Sequence, residues 1–201
     1  MAPTFLVENT KATDQPLIEQ LLDIAFGIDR RVRTSYRLRE GSAPAEDLSL
    51  VVRDAEVGLA GSIGFWPLVI GKTGTPALLL GPLVVHPERQ NLGVGLALMQ
   101  EGLARAKARG HKLAILVGDA PYYARVGFQK LPEGRLILPG PVNLDRFLYV
   151  ELVQGALAEA RGLVLPPHRF AEISARELMP LAVPHQADHN EQSRECQERA
   201  K

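Results

Sequence analysis

The residues most suited to ligand binding and catalysis lie between Gln90 and Tyr123, where a glycine-containing turn, a helix and two adjacent tyrosines follow one another. The turn ends in Gly93-Val94-Gly95 and opens a helix that is predicted to run to Arg109. The first amides of a helix have no acceptor within the helix, and the helix dipole adds partial positive charge there. Because glycine lets a ligand approach the backbone closely, the turn is suited to bind anionic oxygens such as those of a phosphate group.

A dinucleotide-binding fingerprint is one alternative for this turn. That fingerprint has a third glycine three positions after the second, and an acidic residue at the end of the next strand. Asp119 could serve as the acid, but Leu98 stands where the third glycine is needed. Its side chain would obstruct the close packing of helix on strand, so a nicotinamide enzyme is disfavoured. A tight strand-to-helix turn without a ligand is the other alternative.

The residues around the turn resemble the GCN5-related N-acetyltransferase (GNAT) family. The pyrophosphate loop of that family has the form Gln/Arg-x-x-Gly-x-Gly/Ala after a strand that ends in a small apolar triplet, and Gln90, Gly93 and Gly95 match it. The triplet Leu83-Val84-Val85 precedes the loop at the family's usual distance. Tyr123 stands four residues before Gly127-Phe128, where the family often has a tyrosine.

Three further runs, at 80–83, 85–87 and 118–123, resemble one branch of that family, the predicted acetyltransferases of YhbS type. The resemblance covers roughly residues 5–165 as an order of elements, and it is specific between residues 79 and 128. It implies a mixed α/β fold with a central mixed sheet and flanking helices. A GNAT domain is expected over residues 1–165, followed by a C-terminal appendage over 166–201 that is disordered from about His185.

The resemblance also implies an N-acetyltransferase that moves an acetyl group from acetyl-CoA to a primary amine of a small molecule or a protein. Backbone amides of the loop would bind the pyrophosphate, and the preceding strand would hydrogen bond with the pantetheine arm, which enters the gap between two splayed strands. An amide near Leu83 would polarise the thioester carbonyl. The implied cofactor-binding residues are Leu83, Val85, Gln90, Asn91, Leu92, Gly93, Val94, Gly95 and Leu96.

Tyr123 is the expected general acid, because a phenol with a pKa of about 10 can protonate a departing thiolate whose thiol has a pKa near 8.5. Tyr122 is expected to pack on the core. Many relatives carry a glutamate base on the cofactor strand, but Leu79 stands at that position. A CoA-binding sensor or regulatory module without turnover is therefore the alternative function. The candidates that stay open for the base are His86, Glu88, Asp119 and water.

Composition restricts the partners. The 201 residues include 23 acidic and 23 basic side chains, so no overall charge favours nucleic acid or a membrane surface. No apolar run approaches the roughly 20 residues of a membrane span, and the start lacks a signal sequence, so a cytoplasmic protein is expected. The single cysteine, Cys196, excludes an internal disulfide. No metal site is predicted, and a homodimer stays open.

Apolar periodicity and turn residues predict the elements that position these residues. Strands are predicted at 5–9, 48–52, 57–69, 76–85, 113–117, 128–130 and 147–153, as an antiparallel meander joined by one parallel pair. Helices are predicted at 14–26, 29–39, 95–109, 121–125 and 170–178. Asp119 is expected to cap the helix at 121–125. Residues 131–145 are expected to form a loop beside a pocket.

Arginines cluster in the second predicted helix. In the GNAT family, which this sequence resembles, that helix often borders the acceptor site. A solvated helix face is the favoured interpretation, and binding of a carboxylate or phosphate on the acceptor is the alternative. The cluster comprises Arg30, Arg31, Arg33, Arg37 and Arg39.

Overall fold

A mixed β-sheet forms the centre of the structure, a computed structural model that describes residues 5–32 and 34–178. In space the strands follow the order β1-β2-β3-β4-β5-β8-β6, with β9 beside the end of β3 and β7 beside β9. The strands are β1 Val7–Asn9, β2 Ser49–Asp54, β3 Gly58–Ile70, β4 Thr75–Val85, β5 Leu113–Val117, β6 Gln129–Lys130, β7 Leu136–Ile137, β8 Phe147–Glu151 and β9 Gly162–Leu165.

The described residues also form six α-helices. They are α1 Gln15–Phe26, α2 Thr34–Arg37, α3 Val94–Ala108, α4 Ala120–Ala124, α5 Ala156–Glu159 and α6 Pro167–Leu178, with 3-10 turns at Ala12–Asp14, Ile28–Val32, Pro87–Arg89 and Leu144–Arg146. Among the described residues, none of these helices has the length and apolarity needed to cross a membrane. The chain up to Ala171 forms one unit, and a second unit begins at Glu172.

Alternation along the strands places the apolar residues on two faces. Leu50 and Val52 of β2 lie in the core cluster that includes Leu98 and Met99 of α3. Val51, between them, packs instead with α1. Because α3 connects β4 to β5, those two strands can run parallel, as they do at the pairs Leu78–Ala114 and Leu79–Ile115. The predicted mixed fold with flanking helices is confirmed.

Close packing of α3 on β3 depends on the absence of a side chain at Gly102. A Cβ atom there would lie 2.8 Å from Phe65 Cζ and closer still to Phe65 Cε2, and the Phe65 ring is fully buried. No real Cβ contact is that short, so a larger residue must displace the ring or the helix.

Gly102→Ala is therefore expected to lower the free energy of unfolding by about 1–3 kcal/mol through overpacking. Without overpacking, alanine would stabilise the helix by about 1 kcal/mol relative to glycine. A decrease in the free energy of unfolding therefore indicates overpacking, and an increase indicates helix propensity. Thermal or urea unfolding measures it. Gln100→Ala, at an exposed position of the same helix, should cause no loss, and a Gly102→Ala variant as stable as the parent would contradict the packing.

A β-bulge bends β4 next to its partner strands. One residue of β3, Gly64, stands opposite two residues of β4, Gly81-Pro82. The pairing of β4 with β5 ends just before this point, at Leu79 and Ile115. The two parallel strands therefore diverge beyond the bulge and leave the gap that the resemblance implies.

The second predicted helix, over residues 29–39, is wrong in its length. The chain forms instead the 3-10 turn Ile28–Val32 and the single-turn α2. Tertiary contacts decide this: Arg30 turns inward to pair with carboxylates of α1, and the Thr34 hydroxyl donates to the Pro141 carbonyl oxygen at 2.7 Å. Helical periodicity in the sequence cannot report such distant partners.

The C-terminal part contains more regular structure than predicted. The predicted loop over residues 131–145 includes β7, while α5 and β9 were not predicted. These elements are short, and β9 is fixed by pairing with the distant β3 at Val69–Leu165 and Ile70–Val164. The helix predicted from Phe170 begins at Pro167, where a proline is favoured.

The domain boundary at residue 165 stays a prediction. The disorder predicted from His185 lies outside the described residues, as does Cys196.

Candidate functional site

A cavity of about 750 Å³ occupies the gap between β4 and β5. Its walls come from β4, from the turn that leads into α3, and from the end of β5 with α4. The structure brings all the predicted site residues to this one cavity: Leu83, Val85, Gln90, Asn91, Leu92, Gly93, Val94, Gly95, Leu96 and Tyr123.

The first turn of α3 opens into the cavity without a cap. Gly93 is the N-cap residue with φ +96°, a left-handed conformation that favours glycine, and the described residues provide no side chain that caps the helix. The Ala97 amide donates to the Gly93 carbonyl, so the amides of Val94, Gly95 and Leu96 precede the first helical hydrogen bond. These amides can donate to an external anion, assisted by the helix dipole.

Arg89 holds the turn in place. Its guanidinium donates to both carboxylate oxygens of Asp54, at 2.8 and 3.1 Å, and also contacts Glu56. The Arg89 guanidinium, followed by the backbone amides of Val57 and Glu56, holds the pKa of the Asp54 carboxyl well below its usual range. The charge of Arg89 is thus paired within the protein, and its effect is to fix the turn to the hairpin between β2 and β3. The sequence patterns did not predict this role of Arg89.

Tyr122 contacts the first turn of α3. Its ring packs against the core, as predicted, but its hydroxyl lies so near Gly95 that a Cβ atom there would overlap it. Burial raises the pKa of Tyr122. Gly95 was the one indication of this contact in the sequence, because the close approach of the Tyr122 hydroxyl to the helix requires a residue without a side chain.

Tyr123 is half-buried between other rings. It makes edge-on contacts with Tyr122 and Phe128, with ring centroids 5.3 and 5.9 Å apart. Gly118 packs against its face, where a Cβ atom would overlap the ring. Burial raises the pKa of Tyr123 to about 12, with smaller contributions from Tyr122 and Asp119. Its phenol is therefore protonated at neutral pH and can act as a proton donor.

The candidate bases lie in different places relative to the cavity. His86 and Glu88 do not line the cavity; the Glu88 amide donates to His86 Nδ1 at 3.3 Å within their own turn. Asp119 is the one carboxylate among the described lining residues. It is the N-cap residue of α4, as predicted, but its side chain makes no capping hydrogen bond. Its main-chain carbonyl accepts from the Tyr122 and Tyr123 amides instead.

The predicted arginine cluster is not one solvated face. Arg30 is buried and pairs with Glu19 and Asp23, whereas Arg31 is 75% exposed and reaches Glu19. Arg37 is exposed and Arg39 is partly buried at the edge of the cavity. Arg33 lies outside the described residues.

Comparison with known proteins identifies similar sequences. A family model described as "Acetyltransferase (GNAT) domain" matches residues 46–130. The chain is 31% identical over 127 residues to the uncharacterized N-acetyltransferase YjhQ of Escherichia coli K12, covering 62% of this chain and 70% of YjhQ. It is 28% identical over 151 residues to the uncharacterized N-acetyltransferase YhbS of the same strain, covering 75% of this chain and 89% of YhbS.

Two solved structures are similar to this chain in fold. The crystal structure of Escherichia coli YhbS in complex with CoA matches with a TM-score of 0.70 and 26% identity, over 85% of this chain and 95% of that one. A GNAT family acetyltransferase from Brucella melitensis, in complex with acetyl-CoA, matches with a TM-score of 0.52 and 26% identity, over 73% and 96% of the two chains.

Proposed function

Because the chain belongs to the GNAT family of acetyltransferases, we propose that it transfers an acetyl group from acetyl-CoA to a primary amine. The observation that carries the proposal is the uncapped first turn of α3, which opens into the cavity between the diverging β4 and β5. YhbS and the Brucella melitensis relative were crystallised with CoA and acetyl-CoA respectively. These complexes support the same co-substrate for this chain.

The residues present fit the chemistry of acetyl-CoA. The amides of Val94, Gly95 and Leu96 are donors for the diphosphate. The β4 backbone near Leu83 and Val85 borders the gap, where it can hydrogen bond with an extended pantetheine arm as with an added strand. An amide near Leu83 would then polarise the thioester carbonyl.

In the proposed reaction, the amine nitrogen attacks the thioester carbonyl carbon and forms a tetrahedral oxyanion. The carbon–sulfur bond then breaks, the departing thiolate takes the proton from the Tyr123 hydroxyl, and the Tyr123 phenolate regains a proton from water. The amine proton passes to water or to Asp119, which is the one carboxylate among the described residues that line the cavity. Burial raises the pKa of Tyr123, and the same low dielectric destabilises a thiolate leaving beside it, so transfer of the proton stays feasible.

The direction of the Tyr123 pKa shift predicts the pH profile. A phenol whose pKa is raised to about 12 keeps its proton to higher pH than a free tyrosine with a pKa of about 10. We therefore expect kcat to show no basic limb due to Tyr123 between about pH 7 and 10. A kcat profile, together with ultraviolet titration of the parent and of Tyr123→Phe, measures this. A basic limb near pH 9 that coincides with ionisation of the phenol removed by Tyr123→Phe would contradict it.

Thiol release tests the function directly. The purified protein, acetyl-CoA and a panel of amines should release free CoA thiol at rates that depend on the amine. Binding of CoA without turnover of any amine would instead support a sensor or regulatory module. Calorimetry with CoA and NAD adds a second test, because preference for NAD would contradict the proposal. The homodimer and the cytoplasmic location stay predictions.

A further inference from the structure

A second cavity, of about 490 Å³, adjoins the first and shares Tyr36, Arg39 and Pro82 with it. Its other walls come from α1, from the segment around α2 and from β3. Its volume is within the range of pockets that hold small molecules. Because the shared wall includes Pro82 of the β4 bulge, a ligand here would lie next to the part of the first cavity assigned to the thioester.

Arg39 is held at this junction by aromatic rings. Its guanidinium carbon lies 3.8 Å from the centroid of the Tyr36 ring and 5.6 Å from that of Trp66. Its Nε donates to the Ser35 carbonyl oxygen at 3.1 Å. These contacts orient a planar group with several remaining donors toward both cavities.

No carboxylate within the described residues forms an ion pair with Arg39. Burial lowers the pKa of the Arg39 guanidinium, because the charge has lost part of its hydration. The Glu19 carboxylate attracts this charge only from a distance, since it forms its ion pairs with Arg30 and Arg31. Arg30 differs, because two carboxylates compensate its burial. Arg37 also lines this cavity but differs in its hydration, because its side chain is exposed and stays in contact with water.

Two further polar atoms of the same cavity are buried without a partner. In the described part of the chain, neither Tyr36 Oη nor Trp66 Nε1 has a hydrogen-bond partner. Buried donors are nearly always paired in folded proteins, so exceptions call for an explanation such as a ligand. Together with Arg39, they give the cavity a group of donors for an anion, in a wall that also contains the carboxylates of Glu40 and of Glu19, the latter paired with Arg30 and Arg31.

We propose that the amine acceptor carries a carboxylate or phosphate group and that Arg39 binds this group in the second cavity. This inference rests on the proposed function, because it assigns the acceptor of the same reaction. A planar guanidinium binds two oxygens of either anion at once, which would fix the acceptor and direct its amine toward the shared wall. Arg39 is thus a specificity-determining residue.

Matched amines test the inference. The pairs are β-alanine with β-alaninamide and phosphoethanolamine with ethanolamine, compared at equal concentrations of free amine by thiol release from acetyl-CoA. The parent is expected to use at least one anionic member with about tenfold higher kcat/KM or more than its neutral partner. The pair that shows the larger preference distinguishes a carboxylate from a phosphate.

Variants assign the preference to Arg39. Arg39→Gln is expected to raise KM for the anionic amine about tenfold or more, with the Kd of CoA unchanged and a smaller loss in Arg39→Lys. Arg161→Gln, at an exposed position outside both cavities, should keep the preference. Equal use of neutral and anionic amines, or a preference that survives Arg39→Gln, would overturn the inference. Weaker CoA binding in Arg39→Gln would also overturn it, because Arg39 would then belong to the CoA site.

A failure of the proposed function would be distinguishable. If CoA binds but no amine is acetylated, the transferase proposal fails, and the inference is then judged on binding alone. Calorimetric titration of the CoA complex with β-alanine and with phosphoethanolamine supplies that result. Binding that Arg39→Gln weakens about tenfold supports an anion site, and no binding of either compound contradicts it.

Discussion

Tyr123→Phe is expected to lower kcat about hundredfold or more while the Kd of CoA stays within about twofold of the parent. The substitution removes only the hydroxyl, so the ring keeps its contacts with Tyr122 and Phe128. Without that proton, the thiolate must leave unprotonated in a partly buried cavity, where its charge is poorly solvated. Steady-state thiol release measures kcat, and calorimetry measures CoA affinity.

A structural defect in Tyr123→Phe would give a different result. Loss of packing would lower the unfolding temperature and weaken CoA binding along with kcat. Tyr149→Phe, a tyrosine of β8 that does not line the cavity, is a matched control and should retain parent kcat. Full activity of Tyr123→Phe would exclude this tyrosine as the general acid.

Gly95→Ala is expected to weaken CoA binding about tenfold or more. The added Cβ atom would overlap the Tyr122 hydroxyl and lie 3.3 Å from Val85 Cγ2, at the helix turn proposed to bind the diphosphate. Either the hydroxyl or the helix start must shift, and the amides lose their alignment. Calorimetric titration with CoA measures the effect.

The second-site variant Tyr122→Phe identifies the cause. Once the hydroxyl is removed, the nearest Tyr122 atom to the new Cβ is Cζ at 3.5 Å, an ordinary contact. The double variant Gly95→Ala, Tyr122→Phe should therefore bind CoA better than Gly95→Ala alone. Tyr122→Phe by itself reports any separate contribution of the hydroxyl. A double variant no better than the single one would contradict the clash.

Local patterns in the sequence predict the part of the site that depends on neighbours in the chain. The spacing of Gly93 and Gly95 after a strand predicts the helix start, and the helix between β4 and β5 predicts their parallel pairing. These two features depend on chain order and helix geometry, which a single sequence contains. The place of Tyr123 at the same cavity was implied by the resemblance to the GNAT family.

Features that depend on distant partners could not be predicted. Arg30 and Arg39 share one cluster in the sequence, yet one is neutralised by α1 carboxylates and the other stacks on Tyr36 beside a cavity. Only the packed structure distinguishes them. The pairing of β9 with β3 also joins segments far apart in the chain, where short apolar runs carry no signal of their partner.

A crystal structure of the protein with CoA tests the central claim most directly. We predict that the diphosphate oxygens accept hydrogen bonds from the amides of Val94, Gly95 and Leu96, with the pantetheine arm between β4 and β5. A diphosphate bound elsewhere on the protein, with those amides satisfied by the protein's own atoms, would contradict the proposed site and the reaction assigned to it.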